Sequence, residues 1–117
     1  MKAARWIVVL LLYLLCSASA LAENIKIGAV LSVAGPASFL GEPEKNTLLM
    51  LRDQVKGKGG INGQQVEVIV YDDESDVNKC VMAAKKLLDQ DRVSVVVGPS
   101  ISGNTLAIAK FFSSAQV

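Results

Sequence analysis

The apolar residues of this chain fall in blocks whose spacing changes along the sequence, and the spacing predicts the elements. Ile25, Ile27, Ala29, Val30 and Leu31 make a short run with β-branched members, which predicts a first strand over 24–32. Gly35-Pro36 breaks the run, and Gly41 is expected to end a loop. Pro43 suits the first turn of a helix, in which Leu48, Leu51 and Val55 recur at helical spacing. The glycine-rich segment 57–63 stops that helix and can supply the positive-φ positions of a cap and a tight turn. Val66, Val68, Ile69 and Val70 then predict a second strand over 65–71, too continuous for a half-exposed one.

Asp72-Asp73-Glu74-Ser75-Asp76 interrupts the apolar pattern, and Asp76 is a natural N-cap for the helix that follows. Val77, Val81, Ala84 and Leu88 are expected to form its inner stripe, with Cys80 a small buried apolar residue on the same helix. Four valines around one serine over 93–97 predict a third strand, buried on both faces. The segment 98–103 is a loop, and a third helix is predicted from Asn104 to about Ser113. The order β-α-β-α-β-α with short connections predicts a parallel sheet with right-handed crossovers, hence an α/β, doubly wound fold. Three strands leave bare sheet edges, so the expectation is an incomplete lobe from a truncated reading frame.

Residues 1–22 follow a different pattern. Lys2 and Arg5 precede an apolar run, and Ala20-Leu21-Ala22 closes it with small residues. A charged start, an apolar centre and an A-x-A exit predict a secretory signal peptide cut between Ala22 and Glu23. The alternatives are a membrane anchor, for which the uncharged run is short, and a lipid-modified Cys16, which Leu15 before it disfavours. The predicted division is therefore a signal over 1–22 and a ligand-binding piece over 23–117.

Composition sharpens this picture once the two parts are separated. The chain is 51% hydrophobic, but 18 of those residues lie in the first 22. Beyond them, 10 basic and 11 acidic residues are spread without a basic cluster, which argues against nucleic acid as a partner. The chain has no His, so neither a usual nucleophile–base pair nor a His-bearing metal site can be built, and an enzyme is not expected. Cys80 is the only cysteine after the predicted cut, so no disulfide is expected within 23–117.

In an open parallel sheet, ligands bind beyond the carboxyl ends of the strands. Three loops lie there: 33–41, 72–76 and 98–103. The last holds Ser100 and Ser102 and opens a helix, whose N-terminus favours a carboxylate by about 0.3–2 kcal/mol. The competing reading has Ser102 only capping its own helix. Gly98 and Gly103 have the spacing of a phosphate loop, but Asn104 stands where its lysine belongs. The acidic residues at 72–76 lack calcium-loop spacing, and a solvated loop that caps a helix accounts for them; no metal or cofactor is expected.

The order of these segments resembles a known family. Ile25-Lys26-Ile27-Gly28-Ala29-Val30-Leu31-Ser32, followed by Gly35-Pro36-Ala37-Ser38-Phe39-Leu40-Gly41, is similar to the opening of periplasmic branched-chain amino acid binding proteins. So are Gly59-Gly60-Ile61-Asn62-Gly63, Tyr71-Asp72-Asp73-Glu74-Ser75-Asp76 and Val96-Val97-Gly98-Pro99-Ser100. The resemblance covers Ile25 to about Ala109 and points to the leucine-binding-protein-like, type I solute-binding proteins of ABC importers. Val77, Cys80 and Lys56 depart from the family's usual proline, alanine and asparagine, all away from the inferred cleft.

The resemblance implies a two-lobed clamshell of which this chain supplies part of the N-terminal lobe. It implies that Ser102 binds a ligand carboxylate and that Phe39 and Leu40 approach the ligand side chain. Ser100 and Thr105 join them as neighbouring hydroxyl donors. The implied function is capture of a branched-chain amino acid or similar small carboxylate in the periplasm, for the membrane subunits of an ABC importer. The alternative is an extracellular ligand-sensor domain of the same fold. Without the opposing lobe, the chain is expected to bind amino acids weakly at most.

Overall fold

The computed structural model describes residues 23–117. The signal peptide expected over 1–22 lies outside the described residues. Three parallel strands, β1 (Ile25–Leu31), β2 (Val66–Asp72) and β3 (Val95–Val97), form one sheet in the order β2-β1-β3. Ile25 stands opposite Val66 and Leu31 opposite Asp72, whereas β3 pairs only with Ile27, Gly28 and Ala29. The helices are α1 (Ser38–Gly57), α2 (Val77–Lys86) and α3 (Ser102–Ala115), and a π-helical turn, Leu87–Asp91, continues α2.

The chain crosses from β1 to β2 in one direction, then back over β1 to β3. Right-handed crossovers in opposite directions place their helices on opposite faces of the sheet, so α1 covers one face and α2 the other. The α2–α3 face carries the main core. Val30 packs there with Cys80, Ala83, Ala84, Leu87, Val93, Ile108 and Phe112. Leu87 alone, fully buried, contributes about 1.5–3 kcal/mol by leaving water.

Four expectations need correction. The first helix begins at Ser38, so Phe39, Leu40 and Gly41 are helical and Pro43 lies inside. Gly41 is there for proximity, not for a loop: it is buried, and a Cβ would strike the Ser32 backbone. Of the expected inner stripe of α2, Ala84 is buried and Val81 and Leu88 pack against the core, but Val77 is 44% exposed. The most buried positions are Cys80, Ala83 and Ala84, with Leu87 just beyond the helix. Two adjacent alanines let α2 approach both the sheet and α3, a choice that periodicity alone cannot make.

The third correction is to the valine run, of which only 95–97 are strand. Val95 and Val97 are 44% and 41% exposed, because α1 packs on β1 and β2 and leaves their face of β3 uncovered. Val93 is nonetheless buried, beneath the α2–α3 core. β2 also lies at an edge of this sheet and is half-buried over most of its length. Fourth, the acidic segment is not wholly solvated, since Asp73 is fully buried. The glycine turn behaves as its sequence predicts: Gly59, Gly60, Asn62 and Gly63 all have positive φ, and Ile61 bridges to Gln64.

Candidate functional site

The period-two alternation of the strands carries two polar side chains onto the roof of the core. Gly28 and Val30 face α2 and α3, and Ser32 continues that row just past the end of β1. Ile69 and Tyr71 do the same on β2, and Asp73 continues them. From above, Asn104 begins the buried row Asn104, Ile108, Phe112 of α3. These three polar residues are buried and meet one another. The Ser32 hydroxyl donates to Asp73 Oδ1 at 2.6 Å, and the Asn104 amide donates to Asp73 Oδ2 at 2.7 Å. The Ser75 N–H also donates to Asp73 Oδ1, at 2.9 Å.

Asp72, pointing the other way, organises the rim. Its Oδ1 accepts the N–H groups of Val33, Ala34 and Glu74 at 2.8–3.1 Å. The Ser75 hydroxyl accepts from the Ala37 N–H and donates to the Ala34 carbonyl. Side chains of one acidic segment thereby hold the loop after β1 and, through Asn104, the start of α3. Asp76 caps α2 as expected, accepting the Lys79 N–H at 2.8 Å.

The five expected ligand residues do not share one environment. Ser102 is the first residue of α3 and is exposed; the preceding position is Ile101, and no side chain caps this helix. The reading of Ser102 as a helix cap is therefore overturned, and the N–H groups of the first turn stay open. Ser100 is half-buried: its Oγ accepts the Ser32 N–H at 3.0 Å and donates to Glu44 Oε2 at 2.5 Å. Thr105 turns back on its own helix, donating to the Ile101 carbonyl at 3.1 Å. Phe39 is 72% exposed and Leu40 38%, both on the first turn of α1.

Sequence reasoning missed Ser32, Asp73, Asn104 and Glu44. The first three were accessible to it by extending the 28–30, 69–71 and 104–108–112 rows by one step into polar residues. Glu44 carried no such signal.

Burial, followed by the nearby charge of Asp73, pushes the Cys80 thiol up to about 12. The exposed Lys79 ammonium is raised by its hydrogen bond to Glu74, 2.5 Å away. Among the described residues, no group of three metal-ligating side chains occurs, and no helix is long and apolar enough to cross a membrane. A groove of about 850 Å³ lies at the other end of the helices, between Leu88, Arg92 and Phe111.

Residues 24–117 match the family model described as periplasmic binding protein. The leucine-, isoleucine-, valine-, threonine- and alanine-binding protein of Pseudomonas aeruginosa is 37% identical over 89 residues, 76% of this chain and 24% of that one. The Leu/Ile/Val-binding protein of Escherichia coli is 33% identical over 86 residues, 74% of this chain and 23% of its own length. Among solved structures, the branched-chain amino acid transporter substrate-binding protein of Streptococcus pneumoniae, in complex with isoleucine, superposes with a TM-score of 0.77. It is 33% identical, over 80% of this chain and 27% of that chain. A leucine-binding protein from Thermotoga maritima gives a TM-score of 0.71 at 25% identity, over 80% of this chain and 26% of that one. The chain thus spans about a quarter of the length of the relatives it matches.

Proposed function

Because the chain belongs to the periplasmic binding protein family, in its leucine-binding-protein-like branch, we propose that it forms part of the N-terminal lobe of an exported solute-binding protein. The ligand is a branched-chain amino acid or a similar small carboxylate, and the recipients are the membrane subunits of an ABC importer. In this reading residues 1–22 are the export signal and 23–117 the ligand-binding piece, working in the periplasm. The names of the relatives and the isoleucine bound to one of them support the ligand class.

One observation carries the reading. The N-terminus of α3 is uncapped, and the hydroxyl of its first residue, Ser102, is exposed beyond the strand ends. An incoming carboxylate accepts from that hydroxyl and from the open N–H groups of the first turn, with the helix dipole behind them. Phe39 and Leu40, exposed on the first turn of α1, offer apolar surface to the ligand side chain. Closure of an opposing lobe then excludes water and strengthens each polar contact.

The test is an amide NMR titration of the chain with leucine. Weak, millimolar binding is expected, with shifts centred on Ser102, Gly103 and Asn104. Ser102→Ala should lose those shifts while unfolding at the wild-type urea midpoint, because that hydroxyl caps nothing. Absence of any leucine-dependent shift at these amides would overturn the carboxylate reading. A micromolar site measured by calorimetry would overturn the half-site account instead.

A further inference from the structure

We propose that Glu44 is a positioning residue for this site. Through Ser100 it holds the loop after β3 to α1, and so sets the spacing between Ser102 and the apolar first turn of α1. The proposal rests on the carboxylate reading above and adds what keeps the two parts of that site in register.

The segment 98–104 is fixed at three points. At its start Gly98 lies so close to β1 that a Cβ would strike the Val30 carbonyl oxygen. At its end the buried Asn104 donates to Asp73. Between them the Ser100 Oγ accepts the Ser32 N–H at 3.0 Å and donates to Glu44 Oε2 at 2.5 Å. The first two points tie the loop to the ends of β1 and β2. Among the described residues, only Glu44 makes a hydrogen bond from α1 to this loop.

Its place on the helix suits that role. Glu44 follows Leu40 by four residues, so the two share one face of α1, one turn apart. Ser102 follows Ser100 by two residues, at most about 7 Å along an extended chain. The Glu44–Ser100 bond therefore joins helix to loop within one turn of Leu40 and two residues of Ser102.

The same bond decides what Ser100 does. A hydroxyl has one hydrogen to give, and that of Ser100 goes to Glu44. Ser100 is thus a strut and not a donor to the ligand carboxylate, which leaves Ser102 as the serine that binds. Glu44 is exposed and pairs with no lysine or arginine among the described residues, so no ion pair draws it away from Ser100.

A site whose two parts are held at a fixed spacing binds without the cost of ordering them first. Only a ligand that reaches both parts gains from this. Leucine, with a carboxylate and a branched side chain, does; glycine, with no side chain, does not.

The experiment titrates the wild type, Glu44→Ala and Glu44→Gln with leucine and with glycine, following the amide NMR shifts of Ser102, Gly103 and Asn104. The readout is the ratio of the two affinities, because a smaller folded fraction lowers both alike. Glu44→Ala should lower the leucine-to-glycine ratio about two- to fivefold, the worth of one hydrogen bond. Glu44→Gln should restore most of it, since its amide oxygen still accepts the Ser100 hydroxyl while the charge is gone. A wild-type ratio in Glu44→Ala overturns the positioning role, and so does a Glu44→Gln ratio as low as that of Glu44→Ala. In both cases the carboxylate site stands, because leucine still shifts those amides in the wild type. If leucine shifts none of them in the wild type, the carboxylate reading falls and this proposal with it.

Discussion

The side-chain amide of Asn104 donates to Asp73 at 2.7 Å, joining the first turn of α3 to the end of β2. Both residues are buried, and the Ser32 hydroxyl reaches the other carboxyl oxygen of Asp73 at 2.6 Å. A buried side chain that serves donors from the ends of β1, β2 and α3 fixes the three loops relative to one another. Such a cluster is valuable only while complete, because each unmatched buried group carries its full desolvation penalty.

Asp73→Ala strands the Ser32 hydroxyl, the Asn104 amide and the Ser75 N–H at once. Urea unfolding should record a loss of about 2–4 kcal/mol. Asp73→Asn should fall between this and the wild type, since it keeps one acceptor but turns an N–H₂ toward existing donors. A loss below about 0.5 kcal/mol for Asp73→Ala would place the cluster among ordinary surface contacts.

The two small residues at helix starts should respond oppositely to alanine. Helix propensity alone favours Gly41→Ala by about 1 kcal/mol. The structure reverses the sign: the new methyl meets the Ser32 carbonyl, and forcing α1 off β1 should destabilise by about 1–3 kcal/mol. Gly103 has nothing near its missing Cβ and is already helical, so Gly103→Ala should gain up to about 1 kcal/mol. Equal effects at the two sites, measured by urea midpoints, would contradict the close approach at Gly41.

Cys80 should be unreactive in the folded chain. Peptide mapping after iodoacetamide treatment at mildly alkaline pH should find it unmodified unless urea is present. Its thiol is raised from 9.0 to about 12 by burial and by Asp73, so the native state holds a proton that the unfolded state releases first. The contribution of this thiol to stability is thus fully present below pH 9 and declines as pH rises from there to about 12. Cys80→Ala should flatten the fall of the urea midpoint over that window; an identical slope in both proteins would remove Cys80 as its source.

The places where the sequence misled share a cause. Gly41 reads as a loop because glycine weakens helices, but here its missing side chain admits the backbone of Ser32. Val95 and Val97 read as doubly buried because valine runs usually are, yet coverage depends on which strands α1 reaches. Asp73 reads as solvated because charge belongs in water, and only the convergence of Ser32, Ser75 and Asn104 makes its burial tolerable. Glu44 is the extreme case. Nothing within α1 marks it, and its partner Ser100 is 56 residues away.

The sequence by itself determined the element types and their order, the parallel sheet, the cap at Asp76 and the glycine turn, because each follows from spacing or from a local backbone preference. It also determined the family, through short motifs in register. Only the tertiary structure decided which helix face turns inward and which strand is left uncovered. It alone brought Asp73 together with Asn104, and Glu44 with Ser100. Those outcomes depend on contacts between residues far apart in the chain, whose geometry is set by how the helices seat on the sheet and not by any local pattern.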